Sequence, residues 1–184
     1  MKPAVFLDRD GVINYNAKPH DYVKKWDEFH FYKNAMKALR ELSDHNLFTV
    51  LVTNQRGISR SMMSHEDLSD IHKNMLDELK KVNASISQIY YCAHGHEDKC
   101  GCRKPMPGMF FQAAKQHDID LGKSFMVDDA QSGIEAGKRA GCKTILVLTG
   151  RGRESFKTVN EWKYKPDFIT KDLLSATRII RKYI

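Results

Sequence analysis

Short apolar runs alternate along this chain with segments in which apolar residues recur every three or four positions. The runs are Val5–Leu7, Phe48–Val52, Ile86–Tyr91, Phe125–Val127 and Thr144–Leu148, each with the length and flanks of a buried strand. Between them, Ala35, Leu39 and Leu42 share a helical face ahead of the stop signal His45-Asn46. Leu68, Ile71, Met75 and Leu79 predict a longer helix from about His65 to Val82, on the same 3.6-residue period. Shorter helices are predicted at about 109–116 and 134–140. A closing helix is predicted at about 171–183, where Leu173, Leu174, Thr177 and Ile180 line one face. Strands alternating with helices predict βαβ units, hence an α/β fold with a doubly wound, Rossmann-like parallel sheet covered on both faces. Prolines and glycines fall between the periodic segments, with no repeat or low-complexity tract, so residues 1–184 read as a single domain. No large insertion separates the strands, which leaves material for little or no cap domain.

A chain of 184 residues can bury a core without disulfide staples. Its apolar runs are far shorter than the ~18–20 residues of a membrane span. Asp8-Arg9-Asp10 interrupts the N-terminal run before it reaches signal-peptide length. The expected location is therefore cytoplasmic, with no membrane partner. Thiols stay reduced there, so the grouping of Cys92, Cys100 and Cys102 points to a metal. Cys142, apart from that group, suits a small buried hydrophobe. The balance of 30 Lys+Arg against 23 Asp+Glu, a formal charge of +7, favours anionic partners, whether phosphate metabolites or nucleic acid. Arg178, Arg181 and Lys182 suit a solvated helix face near a C-terminus. A monomer is the default expectation.

In open parallel sheets, ligands sit beyond the carboxyl ends of the strands, so the polar residues after each run are the candidate chemistry. Asp8-Arg9-Asp10-Gly11 follows the first run. Alternate residues leaving a strand point the same way, which would bring the Asp8 and Asp10 carboxylates together. Two such charges need a cation or a shared proton, and Mg²⁺ suits oxygen ligands. One carboxylate can then attack phosphorus while the other handles a proton. An EF-hand is excluded, because its glycine stands at position six and Gly11 stands at position four. Thr53-Asn54-Gln55 offers a hydroxyl and amides for a phosphate. Lys104 would be a point charge for a phosphoryl oxygen, and Arg103 a planar fork for a second anionic or hydroxylated group. Asp128-Asp129 follows the fourth run and adds a further acidic element for magnesium.

The order of these motifs resembles the haloacid dehalogenase-like phosphohydrolases, and within them the D,D-heptose 1,7-bisphosphate phosphatase and histidinol-phosphatase group. The matching phrases are Phe6 to Asn14, Val52-Thr53-Asn54-Gln55, Ile89 to Cys92, and Cys100 to Pro105 with Pro107-Gly108-Met109; similarity extends to about Gly150. The resemblance implies Asp8 as a nucleophile that forms an aspartyl-phosphate, and Asp10 as the general acid and base. It implies that Thr53 and Lys104 hold phosphoryl oxygens and that Asp8, Asp129 and the backbone carbonyl of Asp10 bind Mg²⁺. Arg103 would help choose the substrate, and the stretch Asn16 to Pro19 with Asn54, Gln55 and Arg56 would hold the sugar. The implied reaction is hydrolysis of the C7 phosphate of D-glycero-D-manno-heptose 1,7-bisphosphate, with histidinol phosphate as the alternative substrate. Catalysis would be positioning and charge neutralisation in phosphoryl transfer.

Cys92-x-His94 followed by Cys100-x-Cys102 supplies three thiolates and an imidazole, the donor set of a closed tetrahedral zinc site. His96 is a rival ligand, and the Cys-x-His spacing favours His94. A zinc-stabilised loop at 92–102 would steady Arg103 and Lys104 beside it. A different class, a non-catalytic zinc-binding nucleic-acid module, leaves Asp8, Asp10 and Asp129 without a role. The chain also lacks the interleaved aromatic and basic residues of a base-stacking surface. Departures from the family pattern fall in two places. Asp128 replaces a usual glycine, adding charge at the cation, while Ala130 and Gly133 replace a usual Lys and Asp. Near the substrate edge, Arg56 and Ser61 stand where Ser and Gly are common.

Overall fold

The computed structural model describes residues 1–19 and 21–184. Six strands, β1 (Ala4–Leu7), β2 (Phe48–Asn54), β3 (Gln88–Cys92), β4 (Phe125–Asp128), β5 (Lys143–Val147) and β6 (Phe168–Thr170), form one sheet in the order β3-β2-β1-β4-β5-β6. Every neighbouring pair is parallel. The helices are α1 (Ala35–Asp44), α2 (His65–Lys81), α3 (Gly108–His117), α4 (Gln131–Ala140), α5 (Gly152–Thr158) and α6 (Leu173–Ile180).

The two-residue period of β1 divides the interior. Val5 and Leu7 enter one apolar cluster with Leu39 and Leu42 of α1, Leu68 and Ile71 of α2, and Ile180 of α6. Ala4 and Phe6 enter the opposite cluster with Met109 and Phe110 of α3 and Ala136 of α4. The Phe6 and Phe110 rings lie 4.7 Å apart. Full burial of side chains of this size contributes about 1.5–3 kcal/mol each, so both helical layers are held to the central strand. Ser64 caps α2 by accepting from the Asp67 N–H, and the Asp67 carboxylate returns a bond to the Ser64 N–H, the capping-box arrangement.

The expected α/β architecture is the one observed, with two elements added. β6 is a three-residue edge strand just ahead of the predicted closing helix, too short for its period to register; that helix, α6, begins at Leu173, capped by Asp172. α5 buries only Gly152, so it leaves no apolar stripe to read. Among the described residues, no helix is long and apolar enough to cross a membrane. The chain builds outward from β1 to β3 and returns to β4 on the other side of β1. The carboxyl ends of β1 and β4 therefore meet at the point where the winding reverses, which is where such sheets bind ligands.

Candidate active site

Asp8 leaves β1 at this reversal point, and its Oδ1 lies 3.0 Å from Lys104 Nζ. Lys104 Nζ also lies 2.7 Å from Asp128 Oδ2 at the end of β4. Both oxygens of Asp128 are occupied, since Oδ1 accepts the Ala130 N–H. The extra carboxylate at position 128 is also a buried partner for Lys104. Carboxylate oxygens of Asp8, Asp128 and Asp129 lie within 4.8 Å of one another. Burial raises Asp8 to about 6, with Lys104 opposing and Asp128 and Asp10 reinforcing. Burial, with Asp128 and Asp8, raises Asp129 well above the carboxylate range. Acids this reluctant to ionise together suit a hard divalent cation, and Asp8 and Asp129 would hold it.

Two glycines make room for these acids. Gly11 has φ +93°, and a Cβ there would overlap the Asp129 carboxylate. At Gly133 a Cβ would overlap Asp128 Oδ2. A carboxylate at 128 and a bare glycine at 133 therefore share one space, which the carboxylate enters from the strand. Gly133→Ala is expected to lose about 1–3 kcal/mol of stability through overpacking, read by urea unfolding. The exchange Asp128→Gly with Gly133→Asp is expected to be more stable and more active than Gly133→Asp alone.

Asp10 shares the cleft with Asp8 and reinforces it by charge, but its partners are set by a turn rather than by strand alternation. The strand ends at Leu7, and the chain turns so that the N–H groups of Val12, Ile13 and Asn14 all approach the Arg9 carbonyl. The Asp10 carboxylate instead receives Arg9 Nη2 at 3.1 and 3.0 Å, Asn14 Nδ2 at 2.8 Å and Gln55 Nε2 at 3.0 Å. Burial works against its charge, yet Arg9 and the bonds from Asn14 and Gln55 hold it below the usual carboxylate range.

The two strand-end amides also differ from expectation. Gln55, expected at the sugar, is buried behind the cleft, donating to Thr53 Oγ1 at 2.9 Å as well as to Asp10. Asn54 lines the cleft, but its amide is occupied with the Lys104 backbone, Nδ2 donating to the carbonyl and Oδ1 accepting the N–H, both at 3.0 Å. Both amides hold neighbouring groups in position, and Asn54 also faces the cleft. Asn54 thereby pins the residue whose ammonium faces Asp8.

The cleft measures about 390 Å³, and Asp8, Asp10, Thr53, Lys104 and Asp129 form its floor. Asn16 lines one wall as expected, with Ala17, Asp21 and Tyr22. Pro19 is exposed and is not among the lining residues, so the sugar-side expectation shifts from Pro19 to Asp21 and Tyr22. Arg56, Arg103, Arg151 and His96 supply basic groups to the other walls. Arg56 Nη2 pairs with Glu97 Oε2 at 3.2 Å, and Arg103 Nη1 donates to the His94 carbonyl at 3.1 Å. Arg151, which no sequence signal marked, also donates its N–H to Asp129 Oδ2 at 2.7 Å.

The loop after β3 gathers Cys92, His94, Cys100 and Cys102. Sulfur separations are 3.2–3.6 Å, and His94 Nδ1 lies 3.5 and 3.3 Å from Cys92 and Cys102. Ligand edges in a tetrahedral site with Zn–S of 2.3 Å are about 3.8 Å, so the cluster fits zinc with small adjustment. His94 turns into this cluster, while His96 turns toward Arg103 Nη2 in the cleft at 3.5 Å. Burial works against charge on Cys100, but the backbone N–H groups of Arg103 and Cys102 and the neighbouring thiols bring it down to about 7.

A family model described as HAD-hydrolase-like matches residues 101–176. A D-glycero-beta-D-manno-heptose-1,7-bisphosphate 7-phosphatase of Pasteurella multocida is 36% identical over 188 residues, covering 98% of each chain. The enzyme of that name from Haemophilus ducreyi is 42% identical over 160 residues, covering 82% of this chain and 85% of its own. The crystal structure of D,D-heptose 1,7-bisphosphate phosphatase from B. bronchiseptica, complexed with magnesium and phosphate, superposes with a TM-score of 0.91 at 32% identity over 100% of both chains. The chain belongs to the haloacid dehalogenase-like hydrolases. Within them its relatives are the heptose bisphosphate phosphatases.

Proposed function

We propose that the protein is a magnesium-dependent phosphatase that removes the C7 phosphate of D-glycero-D-manno-heptose 1,7-bisphosphate through an aspartyl-phosphate. The observation that carries this is Asp8, a half-buried carboxylate directly after β1 that faces Lys104 Nζ at 3.0 Å in the cleft. Its likeness to the heptose enzymes over nearly the whole chain supports the substrate.

In the first step an Asp8 oxygen bonds to phosphorus as the bond to the sugar oxygen breaks, and Asp10, in the protonated form that Arg9, Asn14 and Gln55 disfavour, gives that oxygen a proton. In the second, Asp10 takes a proton from water as the water oxygen displaces Asp8 from phosphorus, releasing inorganic phosphate. Lys104 and the Thr53 hydroxyl hold phosphoryl oxygens through both steps. The hydroxyl already accepts from Gln55, which leaves its own proton to donate. Magnesium, held by Asp8, Asp129 and the Asp10 carbonyl, would supply charge neutralisation when bound. Arg56, Arg103, Arg151 and His96 would face the second phosphate, which suits a bisphosphate over a simple ester. Zinc on Cys92, His94, Cys100 and Cys102 would be structural.

A cleft of about 390 Å³ suits a small sugar phosphate rather than a duplex. The proposed whole is one domain, residues 1–184, acting as a cytoplasmic monomer without nucleic-acid or membrane partners. The test is kcat/KM for phosphate release from both anomers of the heptose bisphosphate, from histidinol phosphate and from 3′-phosphorylated DNA, at fixed salt. The heptose substrate is expected to rank first and to require magnesium. Preference for histidinol phosphate or DNA would overturn the assignment.

A further inference from the structure

Among the described residues, Arg9 has the largest side chain that is completely buried, and the chemistry above does not use it. A buried guanidinium costs several kcal/mol unless its charge and donors are met. Here its charge is met by one carboxylate, Asp10, whose side chain stays 26% exposed to the cleft. Both Asp10 oxygens accept from Nη2, and the same Nη2 reaches Gln55 Oε1 at 3.3 Å. On the far side, Arg9 Nη1 lies 3.4 Å from Nε2 of His72, which α2 holds 7% exposed. Burial first, and Arg9 second, lower His72 to about 3, so its imidazole is neutral and offers Nε2 as an acceptor.

We infer that Arg9, backed by His72 and tied through Gln55 to Thr53, is a positioning residue that aims the Asp10 carboxyl at the leaving oxygen. Arg9 lies behind Asp10 and does not line the cleft, so it acts through Asp10. Gln55 bonds both Asp10 Oδ2 and Thr53 Oγ1, which sets the acid against the hydroxyl that holds the phosphoryl group. Lysine could bring the charge but not the planar fork that grips His72 and Asp10 at once. Asn14 Nδ2 steadies Oδ1 from the other side, anchored in turn on the Tyr15 carbonyl.

This inference rests on Asp10 being the general acid, and leaving-group dependence tests both. Departure of a sugar alkoxide needs a proton, whereas 4-nitrophenolate leaves without one. The kcat/KM value reports the steps through leaving-group departure, before the shared hydrolysis of the aspartyl-phosphate. General acid catalysis contributes about 10²–10⁴-fold. Arg9→Met is therefore expected to lower kcat/KM for heptose bisphosphate by about 100-fold or more while changing that for 4-nitrophenyl phosphate only several-fold. Arg9→Lys, which keeps the charge and serves if the Met variant does not fold, is expected to give the same pattern at smaller size. Asp10→Asn is measured alongside. Equal losses on both substrates in the Arg9 variants, with Asp10→Asn still discriminating, would overturn the positioning role alone. If Asp10→Asn itself treats the two leaving groups alike, the acid assignment fails and the inference falls with it.

Discussion

Asp8→Asn is expected to abolish magnesium-dependent phosphate release, with a loss of about 10⁴-fold or more, as removal of a catalytic nucleophile brings elsewhere. The change is nearly isosteric, and its amide can keep the 2.8 Å bond from the Arg9 N–H by presenting its oxygen there. Folding should survive, and the pH dependence of stability makes this checkable. In the folded protein, burial raises Asp8 to about 6 against an ordinary 3.8. The folded state thus holds this proton more tightly than the unfolded chain does. Stability from this group is full below the ordinary value and declines as pH rises toward 6. Asparagine has no such penalty, so the metal-free variant should unfold at the same or a higher temperature than the parent at pH 7. Full phosphate release from the variant would remove Asp8 as nucleophile. A folded, inactive variant that melts no lower is the expected combination.

Loss of zinc should be the second large effect, and it should reach the cleft. Cys102 precedes Arg103 and Lys104 directly in the chain, and Lys104 Nζ stands between Asp8 and Asp128. Without the ion, the thiols are left 3.2–3.6 Å apart with no shared cation. The loop then lacks the closed coordination that gives zinc-finger peptides about 10–16 kcal/mol. A loop attached to a formed sheet depends less on its metal than a finger does. Even a third of that energy, at roughly 2–4 °C per kcal/mol for a chain of this size, lowers Tm by about 10 °C. Cys102→Ser, or treatment with a strong chelator, is expected to produce that fall together with a large drop in kcat, because Lys104 and the Asn54 clasp on its backbone move with the loop. Purified protein without zinc that keeps full stability in chelator would contradict this. Activity lost with Tm unchanged would contradict the structural role and place the cluster's effect at the chemistry.

The strand ends were legible because they rest on local pattern. Apolar runs of strand length, each followed directly by polar residues, identify Asp8, Thr53 and Asp129 as neighbours at one sheet edge once the sheet is parallel. The four zinc donors were legible for the same reason, since their spacing along one loop already limits how they can meet. β6 and α5 were not, because a three-residue edge strand and a helix burying only Gly152 leave no periodic signal. The partners that hold the Asp10 carboxylate were not legible, since alternation holds only while the chain stays extended and it turns after Leu7.

By itself, then, the sequence determined the α/β class, the acids and cations of the site and the donor set for a metal loop, all consequences of residue type and near spacing. Only the tertiary structure decided which group faces which. Arg9 meets His72 from α2, Asn54 clasps the backbone of Lys104, and Asp128 fills the space that Gly133 leaves open. Gln55 turns away from the cleft toward Asp10. These pairings join positions far apart in the chain or depend on which way a side chain turns. Both follow from how the helices pack on the sheet and how buried polar atoms find partners there, and neither is written in the spacing of residues along the chain.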